Sequence, residues 1–529
     1  MDAIWSLVPI ALLVFLMTKK HSLPAHKALP LAAGVLYLLK LVYFETDPNL
    51  VNATVVNGLL TAWQPILIIW GAILLFRTTE NSGGMNVIRQ WLNGVTASRV
   101  AQLMIIGWAF SFLIEGVSGF GTPAALAAPI LVGMGFAPVR VAILCLIMNS
   151  VPVTFGAVGT PTWFGLGQIG LSEAENIRIG FHTAVVHAVA ALVIPLIALS
   201  FVVTWREIRR NIVFVYLSIL ACVVPYLLLA RFDYEFPSIL GGLIGLIASV
   251  VLARLGVGLS GQDAGEREVR RITAAAVLRA SFPIWASIVL LLVTRVGQLG
   301  IKTLLTSPTP AWTHALGTLG NLSVSPFLVV SLKSIFGVAG SDGAWTHKIL
   351  YVPGLLPFFA VSGISFLIFG MNRRTCQLTW IETYHQVRKP IAALLGALVF
   401  VKLLMAGGDK ACVILIGKSL AHVSGGSWKY IASYLGALGA FFSGSNTVSN
   451  LTFSGIQASI ADTLSLNRDT ILSLQNVGGA MGNMVCINNI VAVCSVLGLV
   501  GKEGFILKRT VIPMLLYGLI AAAVAAVMQ

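Results

Sequence analysis

The stretch from Phe112 to Pro129 reads FLIEGVSGFGTPAALAAP and places one carboxyl group, Glu115, in a segment that is otherwise apolar. A charged side chain at bilayer depth costs roughly 2.5 to 3.5 kcal/mol on insertion scales, so such a group usually faces the protein interior or a water-filled cavity. Glycines at positions 116, 119 and 121 and the proline at position 123 predict that the helix breaks just after the carboxyl. The stretch therefore predicts a binding site. The alternative is a kinked helix in which Glu115 pairs with a neighbour for packing alone.

The composition is that of a polytopic membrane protein. Only 10% of the 529 residues are charged and 57% are hydrophobic, a balance that soluble globular domains do not reach. The first apolar segment, Ile4 to Met17, is followed by its lysines, Lys19, Lys20 and Lys27, which is the reverse of a signal peptide, so we expect a retained first span. The net charge of +15 is carried by short connections between spans, so nucleic acid is not expected as a partner.

Apolar windows long enough to cross the hydrocarbon core predict an all-α fold of about 12 to 14 transmembrane helices, including windows at 323–339 and 410–424. The polar segment Gly256 to Arg271 divides the chain into a first transmembrane half, 1–255, a hydrophilic central loop, 256–271, and a second half, 272–529. Lysines and arginines are concentrated after the first span, after 181–204, in the central loop and before the last span. The positive-inside rule makes these connections cytoplasmic, so both termini are expected outside.

A second interrupted region, Phe441 to Gln457, reads FFSGSNTVSNLTFSGIQ and sets hydroxyl and amide side chains between apolar runs. Each half then continues into a span with a second interruption, VGTP at Val158 to Pro161 and GGAMGNMVCINN at Gly478 to Asn489. The motif regions are thus 112–165 and 441–510. Corresponding broken segments in two halves are typical of secondary transporters built from two inverted repeats, with the substrate site where the repeats meet.

Half-helix N-termini present free N–H groups and the positive end of the helix dipole, which suits a carboxylate, so we expect a small anionic substrate. Any one of these polar side chains could instead make only a helix-packing hydrogen bond, worth on the order of 0.6 kcal/mol. Their carbonyls could also hold a sodium ion. The candidate substrate-binding residues are Ser118, Gly119, Gly121, Thr122, Asn149, Thr160, Ser445, Asn446, Thr447, Asn450 and Asn476.

Other polar groups within spans are interpreted as structural. Lys402 precedes Asp409 by seven residues, which predicts a pair on one helix face or a snorkelling lysine. Arg295 is expected to snorkel at a span end. His182 and His187 are about 140° apart around a helix and are poorly placed to share a metal. Neither a Walker A loop nor HExxH nor GxSxG occurs in the sequence, so no cofactor, metal or catalytic residue is predicted.

With these motifs in view, the chain resembles the L-lactate permease family of bacterial and archaeal monocarboxylate transporters. The resemblance is carried by IEGVSGFGTPAALAAPIL at Ile114 to Leu131, NSVPVTFGAVGTPTWFG at Asn149 to Gly165, SGSNTVSNLTFSGIQ at Ser443 to Gln457 and QNVGGAMGNMVCINNIVAV from Gln475. It implies proton-linked import of lactate and glycolate. It also implies an elevator architecture, in which a transport domain with re-entrant hairpins moves against a scaffold that would include Val51 to Phe76 and Phe236 to Leu255.

We therefore expect symport of L-lactate and related 2-hydroxymonocarboxylates, D-lactate and glycolate among them, with protons across the cell membrane. Glu115 is the candidate proton carrier, because burial disfavours the charged form of a carboxyl. The alternative is a sodium-coupled transporter of another small organic anion. An intramembrane enzyme or sensor is disfavoured because no nucleophile–base pair or signalling domain is visible. The expected partners are the monocarboxylate, the proton and the lipid bilayer, and a homodimer is compatible with the sequence.

Overall fold

The computed structural model describes residues 1–18, 23–119, 121–260, 272–295, 297–499 and 501–528. Lys19, Lys20, Phe120 and the arginines of the central loop lie outside the described residues. The topology inferred from those cations therefore stays a prediction.

Nearly all of the secondary structure in the described residues is helical. Several helices begin with a side-chain N-cap. Ser172 and Glu175 form a capping box at the start of one helix, and Thr204 and Glu207 do so at another. In chain order the α-helices are α1 Asp2–Thr18, α2 Ala25–Val42, α3 Pro48–Thr61, α4 Trp63–Asn81, α5 Gly84–Asn93, α6 Arg99–Gln102, α7 Ser111–Ser118, α8 Thr122–Gly133, α9 Pro138–Met148, α10 Gly156–Thr160, α11 Glu173–Ala191, α12 Ile194–Ser200, α13 Trp205–Arg210, α14 Ile212–Leu229, α15 Pro237–Arg254, α16 Ala274–Ala280, α17 Phe282–Arg295, α18 Ile301–Leu305, α19 Val361–Ile368, α20 Arg373–Met405, α21 Cys412–Ser424, α22 Trp428–Ser443, α23 Asn446–Thr463, α24 Arg468–Gly482, α25 Ile487–Val496 and α26 Glu503–Val527.

Within the described ranges, eight helices are long and apolar enough to cross a membrane, or up to ten if each of two bent helix pairs forms one span. This number is lower than the 12 to 14 expected. Three apolar helical segments, Asp2–Met17, Thr122–Gly133 and Gly354–Ile368, fall short of span length. The predicted window 410–424 forms α21, whose 13 residues reach only about 20 Å, against the 30 Å of the hydrocarbon core.

The predicted span at 323–339 is wrong, because this segment belongs to an antiparallel sheet of four strands in the order β1-β2-β3-β4. Its residues alternate apolar and polar side chains around a Ser-Pro turn, which favours strands over a helix. The fold class is thus all-α except for one small sheet. Its strands are β1 Trp312–Ala315, β2 Asn321–Val324, β3 Val329–Lys333 and β4 Trp345–Lys348.

The chain divides into two compact units, each built from two separate parts of the sequence. Unit 1 comprises Met1–Met85 and Arg279–Val423, and unit 2 comprises Asn86–Leu278 and Ser424–Gln529. Each unit therefore combines residues from both sequence halves, so the halves 1–255 and 272–529 are divisions of the chain and not of space.

Unit 1 is organised around the long helix α20, which packs against α2, α3 and α4. The buried Lys40 of α2 donates a hydrogen bond of 2.7 Å to the carbonyl of Ala406, the residue that caps α20. The sheet packs on α3, where Ala53, Leu332 and Ile335 form a buried cluster.

Unit 2 holds both motif regions, and α7, the helix that carries Glu115, is buried along its whole length. It lies directly on α15, since a Cβ added at Gly116 would come within 2.6 Å of the Ile239 nitrogen. The segment Phe236 to Leu255, which we expected in a separate scaffold with Val51 to Phe76, therefore belongs to the unit of the motif regions instead.

Candidate functional site

The first predicted helix break is present. α7 ends at Ser118, and α8 begins at Thr122. Gly119 joins them with φ +60° and ψ −155°, a conformation that is essentially restricted to glycine. The hydroxyls of Ser118 and Thr122 lie 2.5 Å apart, and Thr122 donates to the Gly119 carbonyl at 2.7 Å. These two hydroxyls thus close the turn on itself.

The second predicted break is also present. α22 ends at Ser443, Gly444 adopts φ +76°, and α23 begins at Asn446 with Ser445 as its N-cap. The Ser445 hydroxyl accepts a hydrogen bond from the Val448 N–H at 3.3 Å. The N–H groups of Asn446 and Thr447 come before the first hydrogen bond of the helix and carry the positive end of its dipole.

The two breaks meet at one small cavity inside unit 2. Glu115 and Gly119 line it from the first break, and Gly444, Ser445, Asn446 and Thr447 line it from the second. Among the described residues that line this cavity, none is a lysine or an arginine.

The carboxyl of Glu115 is 2% exposed and is held by two neighbours. Asn149 donates a hydrogen bond of 2.9 Å to its Oε2. Gly156 lies against the other oxygen, because a Cβ added there would be 2.5 Å from Oε1. With the carboxyl in this position at the wall of the cavity, there is no room for a side chain at 156.

The predicted interruption at VGTP is a strained turn. Ala157, Val158 and Gly159 have φ angles of 44°, 57° and 70°, all in the left-handed region. Such a φ is a genuine outlier for a β-branched residue such as Val158. Two hydrogen bonds keep the turn in place: Trp163 Nε1 donates to the Val158 carbonyl at 2.9 Å, and Thr160 Oγ1 donates to the Ala157 carbonyl at 2.5 Å.

An amide network fixes the second break. Asn476 Oδ1 accepts hydrogen bonds from Asn446 Nδ2 at 3.1 Å and from Asn450 Nδ2 at 2.9 Å. Asn450 Nδ2 also donates to the Pro161 carbonyl at 2.9 Å, and Asn476 Nδ2 donates to Thr162 Oγ1 at 3.0 Å. The network thus ties the second break to the segment that follows the strained turn.

The structure separates the candidate residues into two groups. The first lines the cavity: Glu115, Gly119, Ser445, Asn446 and Thr447. The second surrounds these residues through hydrogen bonds or chain geometry: Ser118, Gly121, Thr122, Asn149, Thr160, Asn450 and Asn476. Every candidate lies in unit 2.

Six further lining residues were not among the candidates from the sequence: Val153, Gly156, Ala157, Pro161, Gly444 and Asn483. Four of them lie within the quoted motif 149–165, and Asn483 lies within the interruption at 478–489. Except for Asn483, these residues have no polar side chain, so a search for polar groups passes over them.

Two of the polar residues that we interpreted as structural, His187 and Lys402, can be compared with their surroundings. His187 is fully buried, as expected of a packed interior residue. Its Nε2 lies 2.7 Å from the Thr154 hydroxyl, and its Nδ1 lies 2.5 Å from the Tyr517 hydroxyl. The predicted helical pairing of Lys402 with Asp409 is wrong, because α20 ends at Met405. Asp342 is the acidic residue whose charge acts on Lys402.

Known proteins and a protein-family model match this chain along nearly its whole length. A family model described as L-lactate permease matches residues 2–529. A Haemophilus influenzae protein named "Putative L-lactate permease" is 49% identical over 519 residues, which cover 98% of this chain and 97% of that protein. The L-lactate permease of Escherichia coli K12 is 25% identical, covering 95% and 91% of the two chains. The glycolate permease GlcA of Escherichia coli K12 is 24% identical, covering 97% and 92%. The chain therefore belongs to the L-lactate permease family.

Proposed function

We propose that this permease imports L-lactate and related small 2-hydroxymonocarboxylates, D-lactate and glycolate among them, by symport with protons across the cell membrane. The family is one of permeases and not of enzymes, and relatives are named for lactate and for glycolate. The observation that carries the coupling is the cavity, which combines the Glu115 carboxyl with a helix N-terminus and, among its described lining residues, holds no lysine or arginine.

The N-terminus of α23 is the place for the substrate carboxylate. The N–H groups of Asn446 and Thr447 and the helix dipole favour an anion there. An ionised Glu115 at the same cavity would repel that anion, and no described lining residue is a lysine or arginine that could offset the repulsion. The neutral, protonated Glu115 removes the repulsion and can donate a hydrogen bond.

This arrangement couples the two ligands. The anion binds best when Glu115 carries a proton, and by linkage the bound anion makes Glu115 hold its proton more strongly. Substrate and proton then enter and leave together. Asn149 keeps the carboxyl in place, and Asn450 and Asn476 keep Asn446 in place, so these three act as positioning residues.

For the motion, we propose an elevator in which unit 2 is the transport domain and unit 1 is the scaffold, with the two motif regions related as inverted repeats. The proposal is supported by the membership of both motif regions in one compact unit. Both chain termini are proposed to lie outside the cell, on the charge distribution of the connections.

The test is uptake of labelled L-lactate, D-lactate and glycolate into proteoliposomes under separately imposed pH and sodium gradients. The wild type should accumulate substrate on an inward proton gradient without sodium. Glu115→Gln mimics the protonated carboxyl, so it should lose accumulation driven by the pH gradient and keep exchange of labelled for unlabelled lactate. The matched control is Glu173→Gln, which removes an exposed carboxyl from the first turn of α11 and should accumulate as the wild type does.

Full pH-driven accumulation by Glu115→Gln would exclude Glu115 as the proton carrier. Accumulation by the wild type that follows the sodium gradient alone would replace proton symport by the sodium-coupled alternative.

A further inference from the structure

Unit 1 carries an apolar groove between α2 and α20, with α3 along one side. None of its described lining residues lines the cavity of unit 2. We call it the chain groove and define it by Pro30, Gly34 and Tyr37 of α2 and by Ala392, Gly396 and Val399 of α20. Tyr37 contributes the one hydroxyl among these six residues, and that hydroxyl donates to Asn52 at 2.9 Å. The groove walls thus suit an alkyl chain.

The two helices run parallel and in register. A Cβ added at Gly396 would lie 2.6 Å from Pro30 Cδ, and ten residues further along each helix Lys40 donates to the Ala406 carbonyl at 2.7 Å. A residue of α2 and the residue of α20 that follows it by 366 positions therefore lie side by side.

A lysine precedes the groove residues on both helices, and because Pro30 lies beside Gly396, Lys389 lies about four residues, or roughly 6 Å, further toward the helix N-termini than Lys27. Lys27 precedes Pro30 by three residues, and Lys389 precedes Ala392 by three residues. Groove residues follow at steps of three, seven and ten from each lysine, which is the spacing of one helix face. Both lysines are exposed, and each lies about 4.5 Å along the axis from the first groove residue.

These lysines form a cationic group and are not isolated charges. The charges of Lys27 and Lys389 both act on the imidazole of His26, and no acidic group in the described part of the chain acts on it with them. Arg388 adds a further exposed cation next to Lys389. Basic clusters beside membrane helices attract anionic lipid head groups, with about 1 kcal/mol for each lysine or arginine near the surface.

We propose that this end of unit 1 binds one anionic phospholipid, with its phosphate at Lys27 and Lys389 and one acyl chain in the chain groove. The groove residues span about 10 Å along each helix, which accommodates the part of the chain nearest the head group. The lysine stems can follow the groove wall while their ammonium groups reach the phosphate.

The experiment uses the full-length purified protein in detergent and counts bound lipid by native mass spectrometry. The probes are dioleoyl phosphatidylglycerol, dioleoyl phosphatidylcholine, which has the same chains on a zwitterionic head group, and glycerol phosphate, which has no chains. The wild type should retain phosphatidylglycerol, retain less phosphatidylcholine and retain no glycerol phosphate.

Two variants separate the head group from the chain. Lys27→Gln with Lys389→Gln should weaken retention of phosphatidylglycerol by about 30-fold, which is about 1 kcal/mol for each lysine. Its control, Lys348→Gln with Lys410→Gln, removes two exposed lysines elsewhere in unit 1 and should change nothing. Gly34→Leu should displace the chain, because a Cβ at Gly34 meets only open space. Its control is Gly363→Leu on α19, where the added Cβ also meets nothing within 4 Å.

The proposal is overturned if phosphatidylglycerol and phosphatidylcholine are retained equally, or if either test variant matches its control. Binding of glycerol phosphate alone would mean a free-phosphate site. A change from dimer to monomer in Gly34→Leu, with lipid retention unaltered, would assign the groove to a second copy of the chain.

Discussion

The substitution Gly156→Ala should disturb transport, because the added methyl group displaces the neighbouring carboxyl of Glu115. The backbone at 156 has φ −66° and ψ 157°, which alanine adopts freely, so the substitution acts only through its side chain. The new Cβ would lie 2.5 Å from Oε1 of Glu115, closer than the 3.0 Å limit that real Cβ atoms keep. The carboxyl must then move away, and its 2.9 Å hydrogen bond from Asn149 lengthens or breaks.

The expected size follows from overpacking, which costs about 1 to 3 kcal/mol in a well-packed interior. If that cost falls on the substrate-bound, protonated state, the apparent affinity for lactate should fall by about 5- to 150-fold. Proteoliposome uptake on an imposed pH gradient measures this, and thermal unfolding of the purified protein measures the effect on stability.

Two comparisons make the result specific to Glu115. Gly133→Ala, in the same unit, places its Cβ in open space and should transport as the wild type does. In a Glu115→Ala background the collision is absent, so the stability cost of Gly156→Ala should disappear, which a double-mutant cycle detects. Unchanged uptake in Gly156→Ala, or an equal stability cost in both backgrounds, would refute the assigned position of the carboxyl.

Three further substitutions test the surroundings. Asn476→Ala removes the acceptor of two buried amide hydrogen bonds and leaves the Asn446 amide unsatisfied, at about 1 to 3 kcal/mol, so it should lower both the unfolding temperature and uptake. Ser454→Ala removes a buried hydroxyl that has no hydrogen-bond partner in the structure and should lower neither. Ser445→Ala removes the N-cap hydrogen bond that the Val448 N–H donates, so it should destabilise the start of α23 by about 0.5 to 2 kcal/mol. Uptake assays should then show weaker lactate binding. Burial lowers the pKa of His347 in the sheet to about 4. The sheet should therefore lose up to about 3 kcal/mol of stability as the pH falls from 6.5 to 4, because the buried imidazole must then take up a proton. His347→Phe should remove this pH dependence, as measured by hydrogen exchange.

The breaks of the helices could be predicted because their causes are local. Gly119, Gly444 and the Val158 to Pro161 turn lie where glycine, proline or clustered hydroxyls interrupt an apolar run, and each is a break in the structure. A lone carboxyl in such a run also has few alternatives to an interior position. Glu115 is accordingly buried beside the first break.

The long-range arrangement could not be predicted in the same way. Asn450 donates to the Pro161 carbonyl across 289 positions of sequence, and no local pattern specifies that contact. The sheet was missed because a 17-residue apolar window does not distinguish a span from two short strands with a turn. Lys402 and Asp409 fit a helical spacing that ceases to apply once the helix ends at Met405.

The interleaving of the two units has a consequence for biosynthesis. About 330 residues separate Glu115 from Asn446 along the chain, so a ribosome adding about 5 to 20 residues per second needs roughly 15 to 70 s between them. Throughout that interval the nascent first segment of unit 2 has a carboxyl in an apolar helix and only part of the wall that will enclose it. Unit 1, whose last residue is Val423, is completely synthesised before the second segment of unit 2 begins. Completion of the cavity thus waits for the second segment of unit 2, and a chain that stops at the central loop would leave Glu115 without the second half of its site.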